Sequence, residues 1–271
     1  MFRASCSALL LLSLSGAATA GPSLAEAVAN PQRTPEFVAR DGYRHPVETL
    51  SFFGIKPTMT VVEIWPGTGW YTEILAPYLR DEGRYYAATS AASLPMASEA
   101  TKKAVAAYKD KLAANPALYG KVELTEFRPP LRVEVAPAGT ADLVLTFRNV
   151  HNWISGDFEL DAFKAFYAAL KPGGVLGVVE HRAPSLQNRD TSRDNGYVTE
   201  GYIRALAYSA GFDFAGGSPV NNNPNDTKNY PEGVWTLPPV LRLKDVDRDK
   251  YVAIGESDRM TLKFVKPKTA K

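Results

Sequence analysis

The chain has 271 residues, a formal net charge of +2 and 45% hydrophobic residues. This length and hydrophobic content suffice for one large core, and the near-neutral charge argues against nucleic acid or an anionic membrane as the main partner. Cys6 is the single cysteine. Because it lies near the start, the chain after residue 20 has no disulfide, no thiol nucleophile and no thiolate metal site.

The first twenty residues have the pattern of a cleavable export signal. Arg3 gives a short positive region, residues 8–14 form an apolar run, and Ala18-Thr19-Ala20 is a small-x-small cleavage site. The apolar run is too short for a resident membrane span. We therefore predict that residues 1–20 are a signal peptide and that the chain from Gly21 is periplasmic or secreted, with no stable membrane insertion after cleavage.

Residues 21–58 predict short helices, starting near Thr34-Pro35 and His45-Pro46, which we interpret as an N-terminal helical lid segment. Strand and helix patterns alternate from residue 59 onward. The predicted strands are 60–65, 84–89, 121–127, 141–147, 175–180, 214–220 and 260–266. The predicted helices are 70–79, 97–114, 158–170 and 199–210.

This alternation predicts an α/β fold with right-handed crossovers and helices on both faces of a seven-stranded, mostly parallel sheet. The last two strands have no helix pattern between them, which predicts an antiparallel pair at the sheet edge. We expect one α/β domain over residues 59–267, with an inserted flap at about residues 221–258 that is rich in asparagine and proline near its start.

The strongest functional pattern follows the first predicted strand. Glu63-Ile64-Trp65-Pro66-Gly67-Thr68-Gly69 places an acid four residues before a Gly-x-Gly turn. Glycines at this point let backbone amides approach a bound nucleoside, and ligands of open α/β sheets bind at the carboxyl ends of the strands. The pattern alone does not separate dinucleotides from S-adenosylmethionine.

This segment resembles motif I of class I S-adenosylmethionine-dependent methyltransferases, and residues 170–176 (LKPGGVL) are similar to the turn before their fifth strand. Residues 65–73, 179–182, 231–239 and 255–260 resemble more closely a family of bacterial predicted methyltransferases with signal peptides. The resemblance implies a Rossmann-like class I methyltransferase fold with S-adenosylmethionine as cofactor. It also implies that Glu63 contacts the amino-acid end of the cofactor and that Gly67 and Gly69 let the loop approach it.

The chain departs from the superfamily pattern at two places. Trp65 stands where members usually carry glycine, so its indole is expected to line or to narrow the pocket. The second strand ends in Thr89-Ser90, without the usual acid for the ribose hydroxyls. Thr89 and Ser90 are predicted as weaker hydrogen-bonding groups in that place. Arg148 is the last member of the predicted set of cofactor-binding residues.

The candidate reaction site follows the fourth strand, because in this fold the loop there borders the methyl-transfer centre. His151 is predicted as a general base, since imidazole titrates near neutral pH, and Asn149 is placed with it beside the acceptor. Arg44 and Arg182 are expected at the pocket rim. The predicted substrate-pocket residues are Tyr43, His45, Tyr71, Trp153 and His181.

Three functions stay open from the sequence. The first is a methyltransferase that acts on a small molecule after export. The second is an exported binding protein that keeps the fold without catalysis, which Trp65 and the missing acid favour. The third is a metal-binding protein that uses His45, His151 and His181. Adjacent Glu180 and His181 are expected to point to opposite faces of a strand, so no metal ligand is predicted.

Overall fold

The computed structural model describes residues 21–269, and the predicted signal peptide lies outside the described residues. In the described part of the chain, no helix is long and apolar enough to cross a membrane. The N-terminal segment (residues 21–58) folds into short helices because proline or a capping serine starts several of them. These are α1 (Leu24–Val28), α2 (Pro35–Val38), α3 (Asp41–Arg44) and α4 (Pro46–Phe53).

A seven-stranded sheet forms the centre of the molecule. Its strands are β1 (Thr60–Ile64), β2 (Arg84–Ser90), β3 (Val122–Phe127), β4 (Ala141–Phe147), β5 (Leu170–His181), β6 (Asp213–Ser218) and β7 (Arg259–Val265). They lie in the order β3-β2-β1-β4-β5-β7-β6, and β7 alone runs opposite to the other six strands. The predicted mostly parallel sheet with an antiparallel edge pair is confirmed.

Helices cover both faces of this sheet. They are α5 (Thr72–Leu79), α6 (Glu99–Ala114), α7 (Pro116–Tyr119), α8 (Val150–Ser155), α9 (Glu159–Ala169), α10 (Thr191–Asn195), α11 (Glu200–Ser209) and α12 (Arg248–Ile254). One core contains Phe163 and Phe166 of α9, and the other contains Phe53 of α4 and Ile74 of α5. Burial of strands between two apolar layers explains their nearly continuous hydrophobic sequences.

Three local predictions are wrong. The connection between β6 and β7 contains the helix α12, although no helix was predicted between the last two strands. The polar sequence after β4 forms the helix α8 instead of a loop, because the Glu180 carboxylate accepts a hydrogen bond of 2.6 Å from the Val150 N–H in its first turn. The Lys-Pro-Gly-Gly turn is part of β5. Gly173, at φ 82°, donates from its N–H to the Lys266 carbonyl and so continues the pairing beyond the end of β7.

The order of the strands creates a crevice between β1 and β4. The chain proceeds from β1 to β3 on one side and from β4 to β6 on the other, so the connections after β1 and β4 diverge. The N-terminal segment is attached beside this crevice, where Trp70 Nε1 donates to the Phe37 carbonyl at 2.9 Å. The connection from β6 to β7, residues 219–258, is the flap, and it contains a 3-10 helix (Gly233–Thr236) and α12.

Candidate active site

Four cavities lie side by side at the carboxyl ends of the strands, because each shares lining residues with the next. We name each after one residue that lines it. They are the Phe127 cavity of about 260 Å³, the Tyr108 cavity of about 210 Å³, the Glu63 cavity of about 220 Å³ and the Trp235 cavity of about 190 Å³. Trp65 lines the first three, and Arg148 lines the last two.

The glycine loop, residues 66–69 after β1, contributes lining residues to both the Tyr108 and Glu63 cavities. Gly67 has a φ of 60°, and a Cβ placed on it would meet nothing within 4 Å. A side chain there would project into open space that both cavities share. Gly69, at φ 87°, is different, since its Cβ would lie 3.1 Å from the Tyr108 ring. The close approach of a ligand to this loop therefore depends on Gly67, whereas Gly69 is needed for packing within the protein.

Glu63 is buried at the end of β1 and lines the Glu63 cavity. Its Oε2 accepts a hydrogen bond from the Tyr85 hydroxyl and a longer one, 3.4 Å, from Thr72 Oγ1. Among the described residues nothing donates to its Oε1. Burial raises the pKa of Glu63 to about 7, although the two hydroxyls and the charge of Arg148 act in the opposite direction.

Trp65 follows β1 in the left-handed region, at φ 49°. Glycine adopts this conformation at least cost, which explains in physical terms why glycine suits the position. The indole Nε1 donates to the Phe127 carbonyl at 3.1 Å, and its rings contact Phe127, Trp153 and Phe158 at centroid distances of 6.0–6.3 Å. Trp65 is thus a fixed wall shared by the Phe127 and Tyr108 cavities.

The end of β2 carries no acid. Thr89 is buried, and its Oγ1 donates to the Thr125 carbonyl at 3.2 Å, so this hydroxyl is already used in holding β2 to β3. Ser90 lines both the Phe127 and Tyr108 cavities. Thr89 also lines the Tyr108 cavity, but its hydroxyl proton is already donated, so Ser90 is better placed to donate to a ligand hydroxyl.

Asn149 and Arg148 occupy the end of β4. The Asn149 side-chain amide donates to the Ile64 carbonyl at 2.9 Å, which ties the end of β4 to β1, and the residue lines the Tyr108 and Glu63 cavities. Arg148 has a φ of 60° and borders both the Glu63 and Trp235 cavities. The guanidinium of Arg148 forms no ion pair with any residue that the structure describes.

His151 and His181 meet at the Trp235 cavity, with ring centroids 5.5 Å apart. His151 Nδ1 lies 3.1 Å from Oε1 of the fully buried Glu180, and His181 Nδ1 lies 2.6 Å from Ser257 Oγ. Burial, followed by the charge of His151 and nearby arginines, lowers the pKa of His181 well below its usual value. His181 is therefore neutral at physiological pH.

The expectation that Glu180 and His181 point apart is wrong. The Glu180 carboxylate folds back and accepts a hydrogen bond of 2.9 Å from the His181 backbone N–H. As a result, one potential metal-ligating atom from each of His151, Glu180 and His181 lies within 4.8 Å of the others. His45 is not a member of this group.

Three predicted substrate-pocket residues lie elsewhere. Trp153 is fully buried in the core beside Phe166. Tyr43 is 44% exposed and packs against Gly255, and His45 joins α3 to α4 at φ 42°. Neither of the last two lines any of the four cavities. Tyr71, in contrast, stacks on Phe147 at 3.6 Å in the wall of the Glu63 cavity.

Glu256 lies in a cluster of three arginines, of which only Arg44 was predicted near the site, at the pocket rim, and Arg44 indeed lines the Glu63 cavity. Arg40 Nε and Arg44 Nε lie 2.6 and 3.3 Å from the Glu256 carboxylate, and Arg259 Nη1 lies 2.8 Å from it. Burial raises the pKa of Glu256, but the arginines outweigh this effect and lower it to about 2. Arg182 contacts Asp258 on the flap and lines none of the four cavities.

No protein-family model matches the sequence, and no curated protein matches it. Solved structures do match. An S-adenosylmethionine-dependent methyltransferase from Aquifex aeolicus gives a TM-score of 0.55 at 15% identity, over 90% of this chain and 98% of that one. The cyclase SpnF gives 0.54 at 16% identity, over 83% and 80%. The CurJ carbon methyltransferase gives 0.50 at 12% identity, over 90% and 58%.

Because a cyclase and methyltransferases share this architecture, the fold alone does not determine the reaction. The matches cover both the central sheet and most of the chain around it. The protein therefore has the Rossmann-like fold of class I S-adenosylmethionine-dependent methyltransferases.

Proposed function

We propose that the protein is an S-adenosylmethionine-dependent methyltransferase that acts on a small molecule after export. The observation that carries this proposal is the open Glu63 cavity above the crevice between β1 and β4. Ligands of open α/β sheets bind at this point. The export component rests on the sequence pattern of residues 1–20 alone.

The residues of the crevice fit this cofactor. The free Oε1 of Glu63 is an acceptor for the ammonium group of its methionine part, and Gly67 leaves open space beside the loop. Ser90 and the Trp65 indole border the Phe127 and Tyr108 cavities, which suit the ribose and the flat adenine. When bound, S-adenosylmethionine supplies an activated methyl group for in-line transfer to a nucleophile.

His151 is the proposed general base. Because Glu180 is an acceptor for a Nδ1–H, the lone pair of the neutral ring lies on Nε2, on the opposite edge. The ring lines the Trp235 cavity, which adjoins the Glu63 cavity at Arg148. His151 is thus positioned to take a proton from an acceptor hydroxyl or amine, and Asn149 keeps the end of β4 in place beside it.

Isothermal titration of the purified protein with S-adenosylmethionine and S-adenosylhomocysteine tests the proposal. We expect binding of both, and at least a tenfold weaker Kd for Glu63→Gln, because this variant keeps the size of the side chain and removes its charge. Glu82→Gln is the matched control, since Glu82 is exposed in the turn before β2. No binding at millimolar ligand would refute the enzyme assignment and favour a non-catalytic binding protein.

Metal binding is the second candidate, because His151, Glu180 and His181 converge. Both oxygens of Glu180, however, already accept backbone hydrogen bonds, Oε2 from Val150 and Oε1 from His181. Each oxygen also faces His151, Oε1 its Nδ1 at 3.1 Å and Oε2 its backbone N–H at 3.4 Å. A metal ion bound there would therefore have to compete with groups that form the start of α8 and the end of β5. The arrangement therefore favours an oriented base over a metal ligand set.

A further inference from the structure

We propose that the Trp235 cavity binds an anionic methyl acceptor with a small planar apolar body, and that Arg148 and Arg40 hold its carboxylate or phosphate group. The role as acceptor rests on the proposed methyltransferase function. The proposed selectivity for an anion rests on the arginine cluster around Glu256 and on Arg148, which has no ion-pair partner among the described residues. The planar apolar body is inferred from the apolar flap residues that line the cavity.

The charges around Glu256 are unbalanced. Arg40, Arg44 and Arg259 surround one carboxylate, that of Glu256, and all three contact it within 3.3 Å. Arg148 adds a fourth guanidinium, so positive charge exceeds negative charge by about three at the junction of the two cavities. Such an excess in a partly enclosed site attracts a negatively charged ligand.

The two other carboxylates near these cavities do not balance the excess. Glu180 is enclosed, accepts hydrogen bonds from the backbone N–H groups of Val150 and His181, and offsets at most one of the excess charges, which leaves about two. Glu63 lies in the adjoining Glu63 cavity, and its raised pKa leaves it only partly ionised near neutral pH. The arginine cluster around Glu256, together with Arg148, consequently gives the Trp235 cavity a net positive charge.

Arg148 is the arginine best placed to contact a ligand. Its backbone N–H donates to the Val179 carbonyl at 2.7 Å, which fixes the residue where β4 ends. The side chain is half-buried, borders both cavities and has no ion-pair partner among residues 21–269. Arg40 lines the same two cavities from the N-terminal segment. A carboxylate between two guanidinium groups forms charge-assisted hydrogen bonds.

The opposite wall of the Trp235 cavity is apolar. It comes from the flap, and it consists of Val234, Trp235, Pro238, Pro239 and Val240. The Trp235 ring lies 6.0 Å from the His151 ring at an angle of 71°. Because this apolar wall, Arg40 and Arg148, and the proposed base His151 line one cavity, the cavity suits a planar acid that carries a hydroxyl group.

Two matched probes test the inference. 4-Hydroxybenzoate and 4-hydroxybenzamide have the same planar body and hydroxyl group, and only the first carries a charge. In isothermal titrations we expect a Kd at least tenfold lower for the acid. Arg148→Gln should remove this preference, and Arg40→Gln, in a different element, should weaken it. Arg204→Gln is the control, because it removes one positive charge from α11 at the sheet edge.

The cofactor also carries a carboxylate, so the titrations are repeated with saturating S-adenosylhomocysteine. Binding of the acid that persists or tightens supports the inference. Displacement of the acid by S-adenosylhomocysteine would overturn it, because the arginines would then serve the cofactor. Equal binding of acid and amide, or binding of neither at 10 mM, would also overturn it. Selective binding of the acid without any binding of S-adenosylhomocysteine would support the anion site and refute the proposed cofactor.

Discussion

The buried carboxylate of Glu63 predicts a dependence of stability on pH that Glu63→Gln removes. Its pKa is raised from 4.5 to about 7, with burial as the main cause. Each pH unit between these two pKa values corresponds to about 1.36 kcal/mol, so ionisation of this group in the folded protein costs about 3 kcal/mol of stability by pH 8. The glutamine has nearly the same shape and can still accept a hydrogen bond from the Tyr85 hydroxyl.

The sign follows from the number of bound protons. Between about pH 4.5 and 7 the folded protein keeps the proton on Glu63, and the unfolded chain has lost it. The contribution of Glu63 to stability is therefore complete below pH 4.5, falls as the pH rises and is lost above pH 7. Relative to the wild type, Glu63→Gln should gain about 3 kcal/mol between pH 4.5 and pH 8.

Urea unfolding of both proteins at several values between pH 4.5 and 8 measures this difference. Glu82→Gln is again the control, since the same substitution in the exposed turn should give a difference that stays nearly constant with pH. A constant difference between wild type and Glu63→Gln would contradict the reasoning, because it would mean that Glu63 does not titrate in this range in the folded state.

Two more substitutions test the site. Trp65→Gly should lower the free energy of unfolding by about 2 kcal/mol, because the lost packing of the indole, about 3 kcal/mol, exceeds the relieved backbone strain of about 1 kcal/mol. Urea unfolding measures this loss. A variant more stable than the wild type would contradict the prediction. Glu256→Gln should destabilise by about 3 kcal/mol at pH 7, since three arginines lose their partner. In urea unfolding this loss should shrink below pH 4.5, towards the pKa of about 2, and a loss independent of pH would refute the ion-pair explanation.

The fold could be predicted because local patterns and turn chemistry agree over most of the chain. The strand pattern at residues 60–65 and the glycine turn after it determine the start of the crevice. The lack of a predicted helix between the last two strands led to the prediction of their antiparallel pairing, which is correct although the connection between them contains α12. The helix α8 was missed because its first turn is stabilised by Glu180, which lies 30 residues further along the chain. No local pattern carries that information.

The site was less predictable for the same reason. Gly67, Ser90 and Arg148 border cavities because they follow strands, which the sequence shows. The pairing of Arg40 with Glu256 joins residues 216 positions apart, and nothing local indicates it. His45 was predicted in the substrate pocket, whereas it lies at the joint between α3 and α4 and lines none of the four cavities.

The residues of the Glu63 cavity and the charged residues of the Trp235 cavity come from different parts of the chain. Glu63, Gly67 and Asn149 belong to the central sheet and its loops, which many proteins with this fold share in outline. Most charges at the Trp235 cavity instead come from outside the sheet, namely Arg40 from the N-terminal segment and Glu256 from the flap. Because Arg40 and Glu256 form an ion pair, exchanging either the N-terminal segment or the flap would change the charge and shape of the Trp235 cavity. Under the proposed function, this change would alter the acceptor that the cavity selects.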